Sequence, residues 1–234
     1  NKMTETLSLR AKIEQSPMGA YQWMIVAMAA IMNLLDGFDV LALAFTATAI
    51  QNEFGLTRIE LGYLLSAGLF GMAAGSLFLA PLADKIGRRP LLLMAVLLST
   101  IGMLGSAFIS QYQWLGFWRV ITGFGVGGIL VGTNVITSEY SSRKWRSFAI
   151  SVYAAGFGVG AVLGGMFAVM LQGEYGWRSV FLAGAILTGL FLVLLFIWLP
   201  ESIDFLTTKQ PKNAEVRLNL IAKKIGLAGD WKLP

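Results

Sequence analysis

Two aspartates three residues apart, Asp36 and Asp39, stand in the middle of a long apolar stretch of the sequence. Residues at this spacing share one face of a helix, and a charge at membrane depth costs at least about 2.5 kcal/mol on insertion scales. Both side chains are therefore predicted to face a bundle interior or a watery cavity. Two close carboxylates resist joint ionisation, which suits them to bind a proton or a substrate. An ion pair that holds helices together is the structural alternative. Gly37 between them is expected to loosen the helix and free carbonyl groups for ligation.

Arg119 is the only basic residue inside an apolar stretch. Its planar guanidinium can donate two parallel hydrogen bonds to a carboxylate. It is therefore expected to pair with Asp36 or Asp39, or to bind an anionic substrate. The structural alternative is a side chain that snorkels to the outer membrane interface.

A short polar turn from Asp84 to Arg89 combines one acid, one glycine and three basic residues. Asp84 is expected to cap the helix that follows or to pair with a nearby arginine. Glu139 ends another apolar stretch and is expected to join a charge cluster with Arg143 and Arg146. The structural alternative for both features is a basic loop that only orients the chain in a membrane.

The composition requires a lipid environment for these residues. Of the 234 residues 56% are hydrophobic and 13% are charged, whereas soluble domains carry about 25% charged residues. The sequence has no cysteine and no histidine, so we expect no thiolate chemistry, no metal site and no cofactor. Proton chemistry must then fall to carboxylates. No serine-nucleophile motif accompanies them, and an enzyme is not expected.

Six apolar stretches are long enough to cross the hydrocarbon layer, for which about 20 residues are needed. Because backbone groups cannot stay unpaired in lipid, each stretch is predicted to be a helix. The predicted spans are Ala20–Ile50, Ile59–Ala83, Leu91–Ser110, Trp114–Ser138, Phe148–Leu171 and Val180–Leu199.

The basic residues favour one side of this arrangement. All of the 18 Lys and Arg except Arg58, Arg119 and Arg178 fall in the segments that lie on the same side as the N-terminus. This bias is typical of the cytoplasmic side, and it accounts for the net charge of +5 without nucleic-acid binding. It predicts a cytoplasmic tail over 1–19, a six-helix transmembrane domain over 20–199 and a cytoplasmic segment over 200–234.

Glycines at intervals of four mark surfaces where helices can approach closely in lipid. They occur in the second, fourth and fifth spans, at Gly71 and Gly75, at Gly123 and Gly127, and at Gly156, Gly160 and Gly164. Ordinary helix packing is sufficient to explain them. The similarity between the second and fifth spans also fits two three-helix repeats of inverted topology.

Three motifs in order resemble those of the major facilitator superfamily. The turn from Leu82 to Arg89 is similar to that family's signature between its second and third helices, with Ala80 where the signature begins with glycine. Arg119 and the glycines after it are similar to the fourth-helix motif associated with proton coupling. The stretch 156–165 is similar to the fifth-helix motif, with Ala161 in place of the usual proline, and Pro200-Glu201-Ser202 also fits.

Within that family, Asp36-Gly37-Phe38-Asp39 resembles the DGxD segment of the aromatic acid:proton symporters. The resemblance implies that Asp36, Asp39 and Arg119 bind protons or substrate. It also implies conformational gating by residues near the cytoplasmic side, namely Asp84, Gly87, Arg88, Arg89 and Glu139. Members have twelve helices, so the implied fold is all-α, the N-terminal six-helix half of that bundle, with 200–234 beginning the central loop. A fragment or a truncated gene would account for the missing C-terminal half.

The function predicted from these features is symport of protons with an organic anion, an aromatic acid or a dicarboxylate such as muconate, across the bacterial inner membrane. Two six-helix halves would rock about a central site. The expected partners are the small anion, protons, the lipid bilayer and the C-terminal half, with no nucleic acid. The alternatives are a carrier of a sugar or another neutral solute, a membrane enzyme, and an inactive truncated transporter or membrane partner protein.

Overall fold

The computed structural model describes residues 8–233, and within that range the chain is helical with no β-strand. Residues 1–7 of the predicted tail and Pro234 lie outside the described residues. The helices are α1 (Leu9–Gln15), α2 (Ala20–Phe54), α3 (Arg58–Ile86), α4 (Arg88–Ala107), α5 (Tyr112–Tyr140), α6 (Arg146–Tyr175), α7 (Trp177–Trp198), α8 (Ile203–Lys209) and α9 (Ala214–Ile225).

Helices α2 to α7 are long and apolar enough to cross a membrane. The six predicted spans are therefore confirmed as helices, each in its expected place. Large apolar side chains on α3, α6 and α7 remain exposed, for example Phe70, Met166 and Phe196. Such a surface is stable in lipid, and the chain is an integral multi-pass membrane protein.

Two of the predicted loops are wrong in length, because a single glycine makes each turn. Gly87 alone separates α3 from α4, and Gly176 alone separates α6 from α7. Their φ angles are +103° and +83°, a region that favours glycine because it has no Cβ. Asp84 therefore lies in the last turn of α3, and Arg88 and Arg89 begin α4.

The helices pack in two interlocked sets of three. Helix α3 packs chiefly against α5, and α6 packs chiefly against α2, while α4 and α7 contact each other. The sets are α2 to α4 and α5 to α7, and the middle helix of each set packs against the first helix of the other, as in two inverted repeats. Helices α2 and α5 are accordingly the most buried, and α3 and α6 the least.

Glycines make these close approaches possible. A Cβ at Gly71 or Gly75 would overlap carbonyl oxygens of α5, at Val120 and Phe124. A Cβ at Gly160 would overlap the carbonyl oxygen of Leu34 on α2. The spacing of four seen in the sequence is therefore a packing feature of both helix pairs.

One end of the bundle carries α1, α8, α9 and two of the turns. Arg143 in the α5–α6 turn donates its backbone N–H to the carbonyl oxygen of Glu14 over 3.0 Å, and Tyr140 donates its hydroxyl to the carbonyl oxygen of Glu201 over 2.7 Å. Apolar side chains of α1, α8 and α9, including Ile13, pack into the same core as the spans. The polar segment after α7 is thus docked on the bundle.

Candidate functional site

Asp36 and Asp39 lie inside the bundle, with relative exposures of 1% and 0%. Helix α2 continues through them without interruption. The expectation that Gly37 loosens the helix is wrong: Gly37 is buried, and a Cβ there would overlap the carbonyl oxygen of Phe157. Gly37 therefore allows α6 to approach α2 closely, directly beside the two carboxyl groups.

Asp39 receives its hydrogen bonds from α4 and α7. Its Oδ2 accepts from Ser99 Oγ over 3.2 Å and from Thr188 Oγ1 over 3.3 Å. Its Oδ1 is buried and accepts no hydrogen bond from the described residues. Two neutral donors thus stabilise a negative charge on Oδ2 of Asp39, while Oδ1 is buried without a donor.

Arg119 reaches Asp39 from α5, but through the backbone. Its Nη2 donates to the carbonyl oxygen of Asp39 over 2.5 Å, and its Nη1 lies 3.1 Å from Met103 Sδ. The guanidinium also stacks over the Phe181 ring at 5.4 Å. With an exposure of 2%, Arg119 does not snorkel to the interface.

No ion pair joins Arg119 to either aspartate within residues 8–233, where the described ion pairs are all formed by other residues. The expected salt bridge to Asp36 or Asp39 is therefore wrong for this conformation. A thioether is a weak hydrogen-bond acceptor, so one face of the guanidinium lacks a strong partner. The N–H groups on that side can donate hydrogen bonds to a carboxylate.

A cavity of about 150 Å³ lies beside this guanidinium, between α2, α3 and α5. Apart from Arg119 and Thr122, the side chains that line it are apolar or absent. They are Val40, Leu41, Leu43, Ala44, Leu64, Leu65, Gly68, Leu69 and Gly123. An apolar group with one anionic end fits such a lining.

A second polar group lies next to Asp36, and the sequence analysis missed it. Asn33 on α2 donates from Nδ2 to the carbonyl oxygen of Tyr153 on α6 over 2.8 Å. The Tyr153 hydroxyl lies 3.0 Å from Thr133 Oγ1 and 3.3 Å from the carbonyl oxygen of Leu130. The available signal was the spacing of three that runs from Asn33 through Asp36 to Asp39.

At the other end of the bundle, Asp84 pairs with Arg88 at 2.8 Å, which is the second of the two expectations for it. The first is wrong, because the N-terminus of α4 is capped by Glu201. Glu201 Oε1 accepts from the backbone N–H groups of Arg88 and Arg89 over 2.8 and 3.1 Å. A Cβ at Gly87 would overlap the Glu201 carboxylate, so the glycine also makes room for this cap.

Arg89 joins α4 to α7. Its Nε donates to the carbonyl oxygen of Leu199 over 2.8 Å, and its Nη2 donates to that of Phe196 over 2.6 Å. These carbonyls belong to the end of α7, where helix geometry leaves them without partners. Arg89 therefore has a structural task in this conformation.

Glu139 does not join Arg143 and Arg146, and that expectation is wrong. It is buried and accepts from Ser202 Oγ over 2.8 Å and from the Ile203 backbone N–H over 3.0 Å, at the start of α8. Arg146 instead pairs with Glu14 of α1 at 2.9 Å, and this hydrogen bond holds the pKa of Glu14 below its usual value. The energetic cost of burying the Glu139 carboxylate is offset by these hydrogen-bond donors at the start of α8.

The structure nevertheless brings Asp84, Arg88 and Glu139 around one open cavity of about 280 Å³, which Asp204 and Lys209 also line. Glu139 and Arg119 lie on the same helix about 30 Å apart, from the helical rise of 1.5 Å per residue. The two groups of predicted site residues are thus well separated, one within the bundle and one at the end that carries α1, α8 and α9. Among residues 8–233, no cluster of three acidic side chains is placed to hold a metal.

A sequence model described as the Major Facilitator Superfamily matches residues 29–228. The 4-hydroxybenzoate transporter PcaK of Pseudomonas putida is 33% identical over 237 residues, which covers 100% of this chain and 53% of that protein. The gallate transporter of Pseudomonas putida is 36% identical over 204 residues, covering 87% of this chain and 45% of that protein. This chain therefore spans about half the length of the curated relatives that it matches.

Among solved structures, the fold is similar to that of the proton:xylose symporter XylE bound to 6-bromo-6-deoxy-D-glucose. The TM-score is 0.78 and the identity is 23%, and the match covers 88% of this chain and 50% of that chain. At this identity the likeness shows the fold alone. It agrees with a six-helix unit that is half of a larger bundle.

Proposed function

The chain belongs to the Major Facilitator Superfamily, and on that premise we propose that it is the N-terminal half of a proton-coupled symporter for an aromatic or dicarboxylic anion. This membership confirms the family expected from the sequence motifs, and it places the chain among transporters rather than enzymes. Substrate, proton coupling and the second half are parts of the proposal.

The observation that carries the proposal is the state of the Arg119 guanidinium. Arg119 is buried at a cavity and contacts the carbonyl oxygen of Asp39 and the sulfur of Met103, with no carboxylate partner in the described chain. A buried cation with no carboxylate in direct contact is costly. A substrate carboxylate would supply that contact through two parallel hydrogen bonds.

The apolar lining supports an aromatic or otherwise hydrophobic body for the substrate. Leu43, Leu64 and Leu69 offer carbon surface within the same cavity that Arg119 borders. The names of two relatives agree with this chemistry, since 4-hydroxybenzoate and gallate are both aromatic carboxylates. The C-terminal half would supply the opposite wall.

Coupling to protons is assigned to the aspartate pair on α2. A negative charge at Asp39 lies close to Arg119 without a salt bridge to it, and a proton bound to one member of the aspartate pair would remove negative charge near the guanidinium and strengthen its attraction for the substrate anion. Proton binding and anion binding would then favour each other, which is the requirement for symport. With no histidine in the sequence, carboxylates are the natural proton carriers.

For the orientation, we propose that both ends of this chain are cytoplasmic, with residues 1–19 and 200–234 flanking a transmembrane domain over 20–199. The basic residues support this orientation. Asp84 and Arg88, with Glu139 beside the same cavity, would stabilise one of the conformations of an alternating-access cycle. Arg89 would hold α4 and α7 together throughout the cycle, and Gly87 would keep the turn between α3 and α4 tight.

The test is flux into proteoliposomes that contain the full-length transporter, under an imposed pH gradient. The expected result is gradient-driven accumulation of an aromatic carboxylate such as 4-hydroxybenzoate, abolished by an uncoupler, with no accumulation of xylose. Accumulation of the neutral sugar alone would instead establish the neutral-solute carrier. The 234-residue chain, reconstituted alone, serves as the second arm and tests whether the half is inactive by itself.

A further inference from the structure

Three buried oxygen atoms lie along one stripe of α2 without a hydrogen-bond donor. They belong to Asn33, Asp36 and Asp39, at intervals of three, and all three residues are nearly inaccessible. Within residues 8–233, Asn33 Oδ1, Asp36 Oδ2 and Asp39 Oδ1 accept no hydrogen bond. A buried acceptor that loses its bond to water is strongly destabilising unless a donor replaces it.

The orientation of the Asn33 amide follows from its partner. Its nitrogen lies 2.8 Å from the carbonyl oxygen of Tyr153. A carbonyl oxygen can only accept, so the amide NH₂ must face it and the amide oxygen must point away. Asn33 Oδ1 therefore needs a donor, and the carboxyl group that follows it on the same helix face is that of Asp36, three residues further along.

The other polar groups that face Asp36 are already engaged. On α6, the Tyr153 hydroxyl, which is within electrostatic reach of Asp36, lies against Thr133 Oγ1 and the Leu130 carbonyl. On α5, Arg119 donates to the carbonyl oxygen of Asp39, and its other amino group lies against the weakly accepting sulfur of Met103. Helices α4 and α7 carry charged side chains only near their ends, at Arg88, Arg89 and Arg178.

One proton on Asp36 would give a hydrogen-bond partner to two of the three unpaired atoms. If Asp36 Oδ2 carries it, this oxygen becomes a donor, and Asn33 Oδ1 becomes its acceptor. Asp39 needs no such proton, because its Oδ2 already accepts from Ser99 and Thr188 and its backbone contacts the cation of Arg119.

We propose that Asn33 is a positioning residue that holds Asp36 in its protonated form, so that Asp36 carries the transported proton while Asp39 keeps the negative charge. The assignment rests on the proposed function, because it divides the tasks of the aspartate pair that couples proton and anion. The proton enters from solution and leaves to solution, and no covalent bond other than O–H is made or broken.

The first experiment needs no transport. Infrared difference spectra of the full-length protein in liposomes, wild type minus Asp36→Asn, should contain the C=O band of a protonated carboxyl group at neutral pH. In Asn33→Leu the band should shift to higher frequency or disappear, because the carboxyl group has lost its acceptor. If the band is lost in Asp39→Asn and kept in Asp36→Asn, the assignment is overturned.

The second experiment measures the pH at which gradient-driven accumulation is half-maximal. Asn33→Leu should move this midpoint toward acid by about one pH unit, since a tenfold lower proton affinity corresponds to one unit. Asn33→Asp should move it toward alkaline pH, because a neighbouring carboxylate accepts the proton and opposes ionisation of Asp36. A residue that only packs would not produce shifts of opposite sign.

Thr46→Val is the matched control. Thr46 is a buried polar residue of the same helix whose hydroxyl bonds the carbonyl oxygen of Ala42 over 2.8 Å, so its midpoint should equal that of the wild type. If the infrared C=O band and the pH midpoint of accumulation are unchanged in both Asn33 variants, the proposal is overturned while symport stays intact. Should the wild type accumulate no anion at any pH, the proposed function fails, and the infrared arm still decides the protonation of Asp36.

Discussion

Arg119 Nη2 and the backbone carbonyl oxygen of Asp39 lie 2.5 Å apart, so the cation of α5 contacts the main chain of α2 and leaves the Asp39 carboxylate to Ser99 and Thr188. This arrangement keeps a positive and a negative group close together without joining them in a salt bridge. A substrate anion can bind the cation without first displacing a carboxylate, which is the basis of the first two predictions.

Arg119→Lys in the full-length protein should abolish accumulation of aromatic carboxylates. A lysine ammonium is a point charge and cannot reproduce the two-donor fork that reaches both α2 and a carboxylate. Uptake in proteoliposomes measures the effect, with Arg58→Lys as the control because Arg58 is exposed at the start of α3. Wild-type uptake by Arg119→Lys would remove the guanidinium from the substrate site.

Asp39→Asn and Asp36→Asn should each stop accumulation driven by a pH gradient while the protein is still expressed. Asparagine retains an oxygen for Ser99 and Thr188 but can neither ionise nor carry a proton. Exchange of internal for external substrate, which needs no net proton movement, should persist in part. If both single variants and the double variant accumulate substrate in a gradient-dependent way, the carboxylates are structural and the proton site lies elsewhere.

Asp84→Asn should slow transport without lowering thermal stability. Asp84 is 66% exposed at its side chain, and exposed ion pairs contribute about 0–1 kcal/mol. Glu201→Ala is the contrasting variant, because it removes a buried cap of α4 and should destabilise the protein by about 1 kcal/mol or more. Detergent thermal melts and uptake rates, measured together, separate the two roles. Unchanged uptake in Asp84→Asn would leave the turn with a structural task only.

Gly160→Ala should destabilise the bundle, and Gly158→Ala on the same helix should not. A Cβ at Gly160 meets the Leu34 backbone of α2, whereas a Cβ at Gly158 meets nothing within 4 Å. The melting temperature in detergent should therefore fall only in the first variant. Equal melting temperatures would mean that α2 and α6 do not approach each other as closely as described.

Single cysteines at Lys144 and Gly173 should label from opposite sides of the membrane. Lys144 lies just before the start of α6, Gly173 lies in its last turn, and both are exposed. Ser142 lies in the same turn as Lys144 but is buried, so it is a poor probe. The sequence contains no cysteine of its own, and background labelling is therefore low. Lys144 should react from the cytoplasmic side; reaction from the outside would reverse the proposed orientation.

The sequence-based predictions hold best where the controlling physics is local. Hydropathy alone located all six spans, because each must bury about 20 residues of backbone in lipid. The interior position of Asp36, Asp39 and Arg119 followed from the cost of charge in lipid. The predicted turn lengths were wrong at Gly87 and Gly176, because a positive φ lets a single glycine connect two helices where a longer loop was expected.

The identity of hydrogen-bond partners lay beyond sequence reasoning. Glu201 caps α4 across 113 residues of chain, and Glu139 meets Ser202 across 63. The sequence determined the six long helices, the charged residues that they carry into the membrane and the family to which the chain belongs. Only the tertiary structure decided that Arg119 contacts a carbonyl group and that Asn33 faces Tyr153. The reason is that rotation and depth of a helix depend on glycine contacts with its neighbours, which no single segment contains.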